Sequence, residues 1–177
     1  MPAQALAQRI INSLDELSVP SDLDISTRLN RLISREVTSY LLENCTVEVS
    51  FEATDDPETK ILGSNPITGS VSPSESGGDP DAWLDSIGHN IALGFTTSQG
   101  IVKPLESHVS LSVPNDHLSK FIRSEEISTS PDPCLSWWTK FSDGIITMIE
   151  SQISQPYPAA TLDDVEGVAT VTKLNIT

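Results

Sequence analysis

Apolar residues recur at helical spacing in four parts of the chain. In the first part, residues 3–17, they lie three and four positions apart, which places their side chains on one face of a helix. The second part follows the segment SVPSDLD, where Ser21 and Asp24 have the spacing of a capping box, and continues to about Glu43. These two predicted helices make up an N-terminal helical part, residues 1–44.

The third and fourth predicted helices share a start signal. Asp79 and Asp132 are each followed by proline, and Asp-Pro is typical of a helix N-cap and the first helical position. The apolar face of the fourth helix consists of Leu135, Trp138, Phe141, Ile145, Ile149 and Ile153. Trp137 is turned about 100° away from Trp138, so it lies at the edge of this face. We expect Trp137 to pack against the core edge or, alternatively, to anchor a partner.

Alternation of apolar and polar residues predicts strands at 46–53 and 107–113. The β-branched segment at 164–177 predicts a third strand, and IVKPL at 101–105 a short fourth one. One-sided alternation is typical of an antiparallel sheet with one solvated face, and helices and strands do not alternate along this chain. We therefore predict an α+β fold, with about four helices packed on a small antiparallel sheet, as a single domain over residues 1–177.

Residues 63–80, GSNPITGSVSPSESGGDP, are rich in Gly, Ser and Pro, which predicts a flexible loop. A chain of 177 residues suits one domain with a modest core. No apolar run approaches the roughly 18 residues that a membrane helix needs, and the N-terminal segment lacks the pattern of a secretory signal. We therefore expect a protein that is cytoplasmic when it is made.

The charge of the chain narrows the choice of partners. Lys and Arg number 10 against 25 Asp and Glu, which gives a net charge of -15. Residues 1–44 carry four arginines against six acidic residues, so most of the negative charge lies in the remainder of the chain. Because such a surface repels nucleic acid and anionic membranes, we expect direct binding to neither. Partners should offer basic or apolar surface.

Arg28, Arg31 and Arg35 form a row on the second predicted helix, at i, i+3 and i+7 spacing. One interpretation is a solvated helix face with Glu36 and Glu43 nearby. The other is a docking strip, because guanidinium groups pair bidentately with carboxylates, which the acidic surface of a neighbouring copy would supply. Head-to-tail contacts of this kind close into rings or open into filaments.

No motif in the chain fixes a chemistry or identifies a family. The glycine-rich stretch at 63–69 lacks the lysine of a phosphate-binding loop, and the G-x-S-x-G motif of esterases does not occur. The histidines show no metal-ligand spacing, and we expect them on the surface: His89, His108 and His117. Neighbouring acidic residues are expected by chance in so acidic a chain, and none follows the order of a calcium loop. We expect neither a cofactor nor a metal site.

Cys134 lies in the first turn of the fourth predicted helix, where a thiol has a lowered pKa. A catalytic cysteine also needs a base, and no histidine is near Cys134 in the sequence. We therefore expect an inert, buried cysteine rather than a site.

Together these features favour a non-enzymatic structural subunit of a large symmetric assembly. The hypothesis is a small virion protein, from the head, neck or tail of a tailed phage, that forms homo-oligomers and contacts other assembly proteins. The candidate partner-binding residues are Arg28, Arg31, Arg35 and Trp137. Two alternatives stay open: an acidic binding module that imitates nucleic acid at a basic partner, and a hydrolase whose carboxylates meet only in space.

Overall fold

The structure, a computed structural model, describes residues 1–75, 79–97, 109–110, 118–119, 122, 130–150 and 156–177. Within these residues the helices are α1 (Pro2–Ser13), α2 (Ile25–Asn44), α3 (Pro80–Gly94) and α4 (Pro133–Glu150), with a 3₁₀ helix at Leu14–Ser18. The strands are β1 (Cys45–Ala53), β2 (Asp56–Pro66), β3 (Thr68–Gly69), β4 (Phe95–Thr97), β5 (Val109–Ser110), β6 (Pro156–Leu162) and β7 (Val165–Ile176).

The described strands form two antiparallel sheets. The larger has the order β2-β1-β7-β6 and the smaller the order β3-β4-β5. The predicted α+β fold, with four helices and an antiparallel sheet, is confirmed. Of the strand predicted at 107–113, only residues 109–110 are described, and they form β5. The short strand predicted at 101–105 lies outside the described residues.

β1 lies between β2 and β7 and follows the predicted alternation, with Val47, Val49 and Phe51 buried. The alternation of buried and exposed residues in β7 changes phase part-way along the strand. Glu48 of β1 pairs with Lys173 of β7, but the next residue of β1 pairs with Val171, so one residue of β7 is extra. This residue forms a β-bulge, which moves buried positions from odd to even residue numbers along β7.

The loop predicted at 63–80 needs correction, because residues 63–66 belong to β2 and residues 68–69 form β3. Gly63 has a φ of 78°, a backbone conformation that other residues rarely adopt. This conformation allows a bulge opposite β1, so that β2 continues past Gly63. Glycine and proline predict a loop in this part of the sequence, whereas in the structure Gly63 marks an irregular position within β2.

The segment after β3 is tied to α2. The backbone N–H of Val71 donates to Thr38 Oγ1 at 2.8 Å. Asn30, buried on α2, donates from Nδ2 to the carbonyl oxygen of Ser74 at 2.8 Å and accepts from Trp83 Nε1 of α3 at 2.7 Å. One buried amide therefore connects two helices and the connecting segment.

The helices begin where side chains cap them. Asp79 and Asp132 accept hydrogen bonds from backbone N–H groups in the first turns of α3 and α4, as predicted. The predicted capping box at the start of α2 is wrong: Asp24 itself is the N-cap, and its carboxylate accepts from the N–H of Thr27 at 3.3 Å. Ser21 instead accepts from the N–H of Leu23, before the helix starts.

The main core forms where α1 packs against α4 and α2, and where α4 and α2 meet the large sheet. The described part of the predicted α4 face agrees: Trp138, Phe141, Ile145 and Ile149 are buried and Leu135 is partly buried, while Ile153 lies outside the described residues. None of the helices in the described ranges combines the length and apolar character needed to cross a bilayer.

Gly167 of β7 lies against β1 so closely that a Cβ atom would come within 2.3 Å of the Glu52 carbonyl oxygen. We expect Gly167→Ala to lower the free energy of unfolding by about 1–3 kcal/mol, because the backbones of β1 and β7 must separate. Urea denaturation measures this change, with the neighbouring exposed Val168→Ala as the control. An unchanged urea midpoint in Gly167→Ala would contradict the close approach of the two strands.

Candidate docking groove and charge network

Five charged side chains join α1, the 3₁₀ helix and α2, and we call them the charge network: Arg9, Glu16, Arg35, Glu36 and Glu43. Arg9 of α1 donates from Nε to Glu36 at 2.8 Å and from Nη1 to Glu43 at 2.7 Å. Arg35 donates from Nε to Glu36 at 2.8 Å and contacts Glu16 bidentately, at 2.9 and 2.8 Å. Glu36 therefore accepts hydrogen bonds from two guanidinium groups on different helices.

Glu36 is the buried member of the charge network, with only 9% of its side chain exposed. Burial raises the pKa of this carboxyl, but hydrogen bonds from Arg9, Arg35 and Ser13 more than offset burial, so its pKa is lowered. Hydrogen bonds with Glu43 and Glu36 raise the pKa of Arg9, and those with Glu16 and Glu36 raise the pKa of Arg35. The carboxylate of Glu36 thus stays charged in the protein interior because both neighbours are cations.

Arg28 also donates hydrogen bonds within the chain. Its guanidinium donates to the carbonyl oxygen of Leu17 at 3.2 Å and to that of Glu16 at 2.7 Å. These carbonyl groups lie in the 3₁₀ helix, where orphan acceptors attract a cation. Arg28 therefore fixes the 3₁₀ helix against the start of α2.

Arg31 differs from its neighbours in the predicted docking strip. It is exposed, and within the described part of the chain it has no hydrogen bond or ion pair. It lines a shallow groove of about 250 Å³, which we call the arginine groove. The residues that line this groove are Glu16, Leu17, Arg28, Arg31, Leu32 and Arg35. The structure thus brings the three predicted arginines together, and Arg31 is the one of the three whose donors are all without a partner among the described residues.

Exposed apolar side chains lie in the segment that leads to Arg28. Val19 and Leu23 lie in the connection between the 3₁₀ helix and α2, and Val19 is 59% exposed. Ile25, about one helical turn before Arg28, is 63% exposed. Neighbouring exposed apolar residues of this kind often mark an interaction surface.

Trp137 packs at the core edge. Its ring stacks on Phe141 at a centroid distance of 5.6 Å and meets Trp138 edge-on at 4.7 Å. The ring is half-buried against the core cluster, which confirms the predicted packing. Its role in binding a partner stays a prediction.

Carboxylates gather at one end of the large sheet, a feature that the sequence analysis missed. The turn between β1 and β2 lies beside the turn between β6 and β7, because Ala53 pairs with Gly167 and the N–H of Thr54 donates to Glu166 at 3.0 Å. Exposed carboxylates of these turns and the adjoining strands form what we call the acidic end: Glu52, Asp55, Asp56, Glu58, Asp163, Asp164 and Glu166. Only the pairing of β1 with β7 unites them, so no local pattern could have revealed the cluster.

The two cysteines differ in environment. Cys134 is exposed, so the prediction that it is buried is wrong: it precedes the apolar face of α4 and lies on the outer side of the first turn. Cys45 is buried at the start of β1, and burial, with a smaller effect of Glu150, raises the pKa of its thiol to about 12.

His89 is exposed, as predicted, whereas His108 and His117 lie outside the described residues. Across the described ranges, no group of three or more His, Cys, Asp or Glu side chains is arranged to hold a metal ion.

Comparison with known proteins gives no relative of this chain. No family model matches it, and neither a curated protein nor a solved structure resembles it significantly.

We expect Glu36→Gln to lower the free energy of unfolding at pH 7 by on the order of 2 kcal/mol, because two cations lose their shared buried carboxylate. Since the pKa of Glu36 is lowered by folding, this stabilisation is present above the carboxyl pKa of the unfolded chain and is lost as pH falls through the folded-state pKa. The difference between wild type and Glu36→Gln in urea denaturation should therefore shrink in acid. Glu43→Gln, on the exposed side of Arg9, is the matched control with the smaller effect. A difference that stayed constant from neutral pH into strong acid would contradict this account.

In the native protein we expect one thiol to react rapidly with Ellman's reagent and the other only on unfolding. The reactive thiol should be Cys134, because Cys45 is buried and the raised pKa of its thiol leaves almost no thiolate. Cys134→Ser should abolish the fast phase and Cys45→Ser should leave it unchanged. Two equally fast thiols in the folded protein would show that the burial of Cys45 is wrong.

Proposed function

We propose that this protein is a non-enzymatic structural subunit of a large symmetric assembly whose identical copies dock through the arginine groove. The observation that carries the proposal is the pairing state of Arg31. A guanidinium group whose five donors have no partner among the described residues, on a helix that starts with the exposed Ile25, suits contact with a carboxylate on another molecule.

The overall charge supports the same proposal. With a net charge of -15, the chain offers many exposed carboxylates to a neighbouring copy. A groove and an acidic surface that differ in position form a heterologous contact, so each copy has one surface of each kind to offer. Repeating this contact gives a ring if the rotation closes and a filament if it does not.

The class of assembly that we propose is the particle of a tailed phage, in which the protein is a small head, neck or tail component. It would be made in the cytoplasm and then incorporated into the virion. The support is the size of the chain and the location of its distinctive features on the surface, in the arginine groove and the acidic end, where subunits touch one another.

The acidic end also favours a second candidate, an acidic module that occupies the basic site of another protein. Seven exposed carboxylates on two adjacent turns and the strands beside them resemble a row of phosphates in charge. Such a module would remain a monomer alone and would bind a polycation, with affinity that falls as salt rises.

Sedimentation velocity over a range of protein concentrations, at about 20 mM and about 500 mM NaCl, tests the first proposal. We expect oligomers at low salt and a shift towards monomers at high salt, because salt screens contacts between exposed charges. Electron microscopy of the low-salt sample should show rings or filaments of uniform width. A protein that stays monomeric in both salts at high concentration, but binds polylysine, would replace the first proposal with the second.

A further inference from the structure

We infer that the acidic end of one copy occupies the arginine groove of the next copy. The inference rests on the proposed function and deepens it, because it names the two surfaces that meet. Head-to-tail repetition of this single contact would build the assembly.

Among the described residues, the lining of the arginine groove has more positive than negative charge. It contains three arginines and one carboxylate, that of Glu16, which Arg35 contacts in addition to Glu36. Arg28 donates to two carbonyl oxygens and has no ion pair with a described carboxylate. Arg31 has neither a hydrogen bond nor an ion pair with a described residue.

The acidic end has the opposite charge and a narrow shape. The β1–β2 hairpin turns through Thr54 and Asp55, and both residues and the start of β2 are exposed. A hairpin tip presents few side chains at a time, so it can enter a shallow groove where a flat sheet face could not. The carboxylates of Asp55 and Glu58 accept no hydrogen bond from a described residue, so both are available to accept from a guanidinium group.

Apolar side chains match as well as charges. Beside the acidic end, Ile61 of β2 is 67% exposed, and Val165 and Val168 of β7 are also exposed. On the helical side, Val19 and Ile25 are exposed in the segment that precedes Arg28. A contact that joined the two surfaces would pair the charges and could cover these apolar side chains as well, which is the usual composition of a protein interface.

The surfaces belong to different parts of one chain. Arg28 and Arg35 find their partners inside the helical part, whereas the acidic end lies where β1 finishes, after α2 and the full length of the strand. No ion pair between an arginine of the groove and a carboxylate of the acidic end is present within the described part of one chain. The contact is therefore left for a second molecule.

Charge reversal on each surface tests the inference. Arg31→Glu makes the groove less basic without removing a contact to a described residue, unlike changes of Arg28 or Arg35. Asp55→Lys/Glu58→Lys places two cations at the hairpin tip. By sedimentation velocity at low salt, each variant alone should associate at least about tenfold more weakly than wild type, because a like charge now faces each surface. An equimolar mixture of the two variants should associate again, at least to dimers, since the unaltered acidic end of Arg31→Glu fits the unaltered groove of the tip variant.

The matched control is Asp143→Lys/Glu150→Lys on α4, which has the same change in net charge as the tip variant. Both residues are exposed, and Glu150 lies near Cys45, at the opposite end of β1 from the acidic end. This control should associate as wild type does. Circular dichroism and thermal unfolding verify that every variant is folded, and Arg31→Gln provides a second groove variant with a smaller change of charge.

The outcomes separate the inference from the proposed function. If wild type associates and the mixture of reversed variants fails to restore association, or the α4 control weakens as much as the tip variant, the acidic end is not the occupant and the inference is overturned, while a subunit with another contact remains. If wild type never associates, both the inference and the proposed function are overturned. The inference is supported only if association is restored in the mixture of the two variants.

Discussion

The N-terminal helical part depends on a carboxylate that is charged although it is buried. Glu36 would destabilise the interior if it stood alone, because an unpaired buried charge loses its hydration. Arg9 from α1 and Arg35 from its own helix provide the missing hydrogen bonds, and they can do so only when the two helices lie in one relative position. The charge network therefore fixes how α1 meets α2, and through Glu16 it also fixes the 3₁₀ helix.

The arginine groove is a by-product of this arrangement. Most of the side chains that line it are already held by internal contacts, whereas Arg31 has no polar partner among the described residues. The arginines that look equivalent in the sequence are therefore different in role: Arg9, Arg28 and Arg35 hold the helices together, and Arg31 faces outward. A surface built on residues that also stabilise the fold needs little ordering before it binds, which lowers the entropic cost of association.

The sequence predicts those features that depend on local patterns. The periodicity of apolar residues and the Asp-Pro caps predict the helices, and the alternation of apolar and polar residues predicts β1, because each of these signals is contained in a short stretch of sequence. β2 was missed because Gly63 and the prolines around it resemble a loop, and its strand character comes from pairing with β1. The sequence shows the row of arginines, but it does not show which of them have partners within the chain. Arg28, for example, donates to carbonyl oxygens eleven and twelve residues away. The acidic end required knowing that β1 pairs with β7, a contact between residues far apart in the chain.

The bulge in β7 makes one point of the chain tolerant of a change in length. Thr172 is the residue without a partner in the β1 ladder, and its hydroxyl donates to the Glu48 carboxylate at 2.9 Å. Deleting this residue would close the ladder and leave Leu174 opposite Val47, so Leu174 and Ile176 would stay on the buried face. Deleting a residue that has a partner, such as Ala169, would instead put the parts of the strand on its two sides out of phase, and apolar side chains of one part would turn towards the solvent.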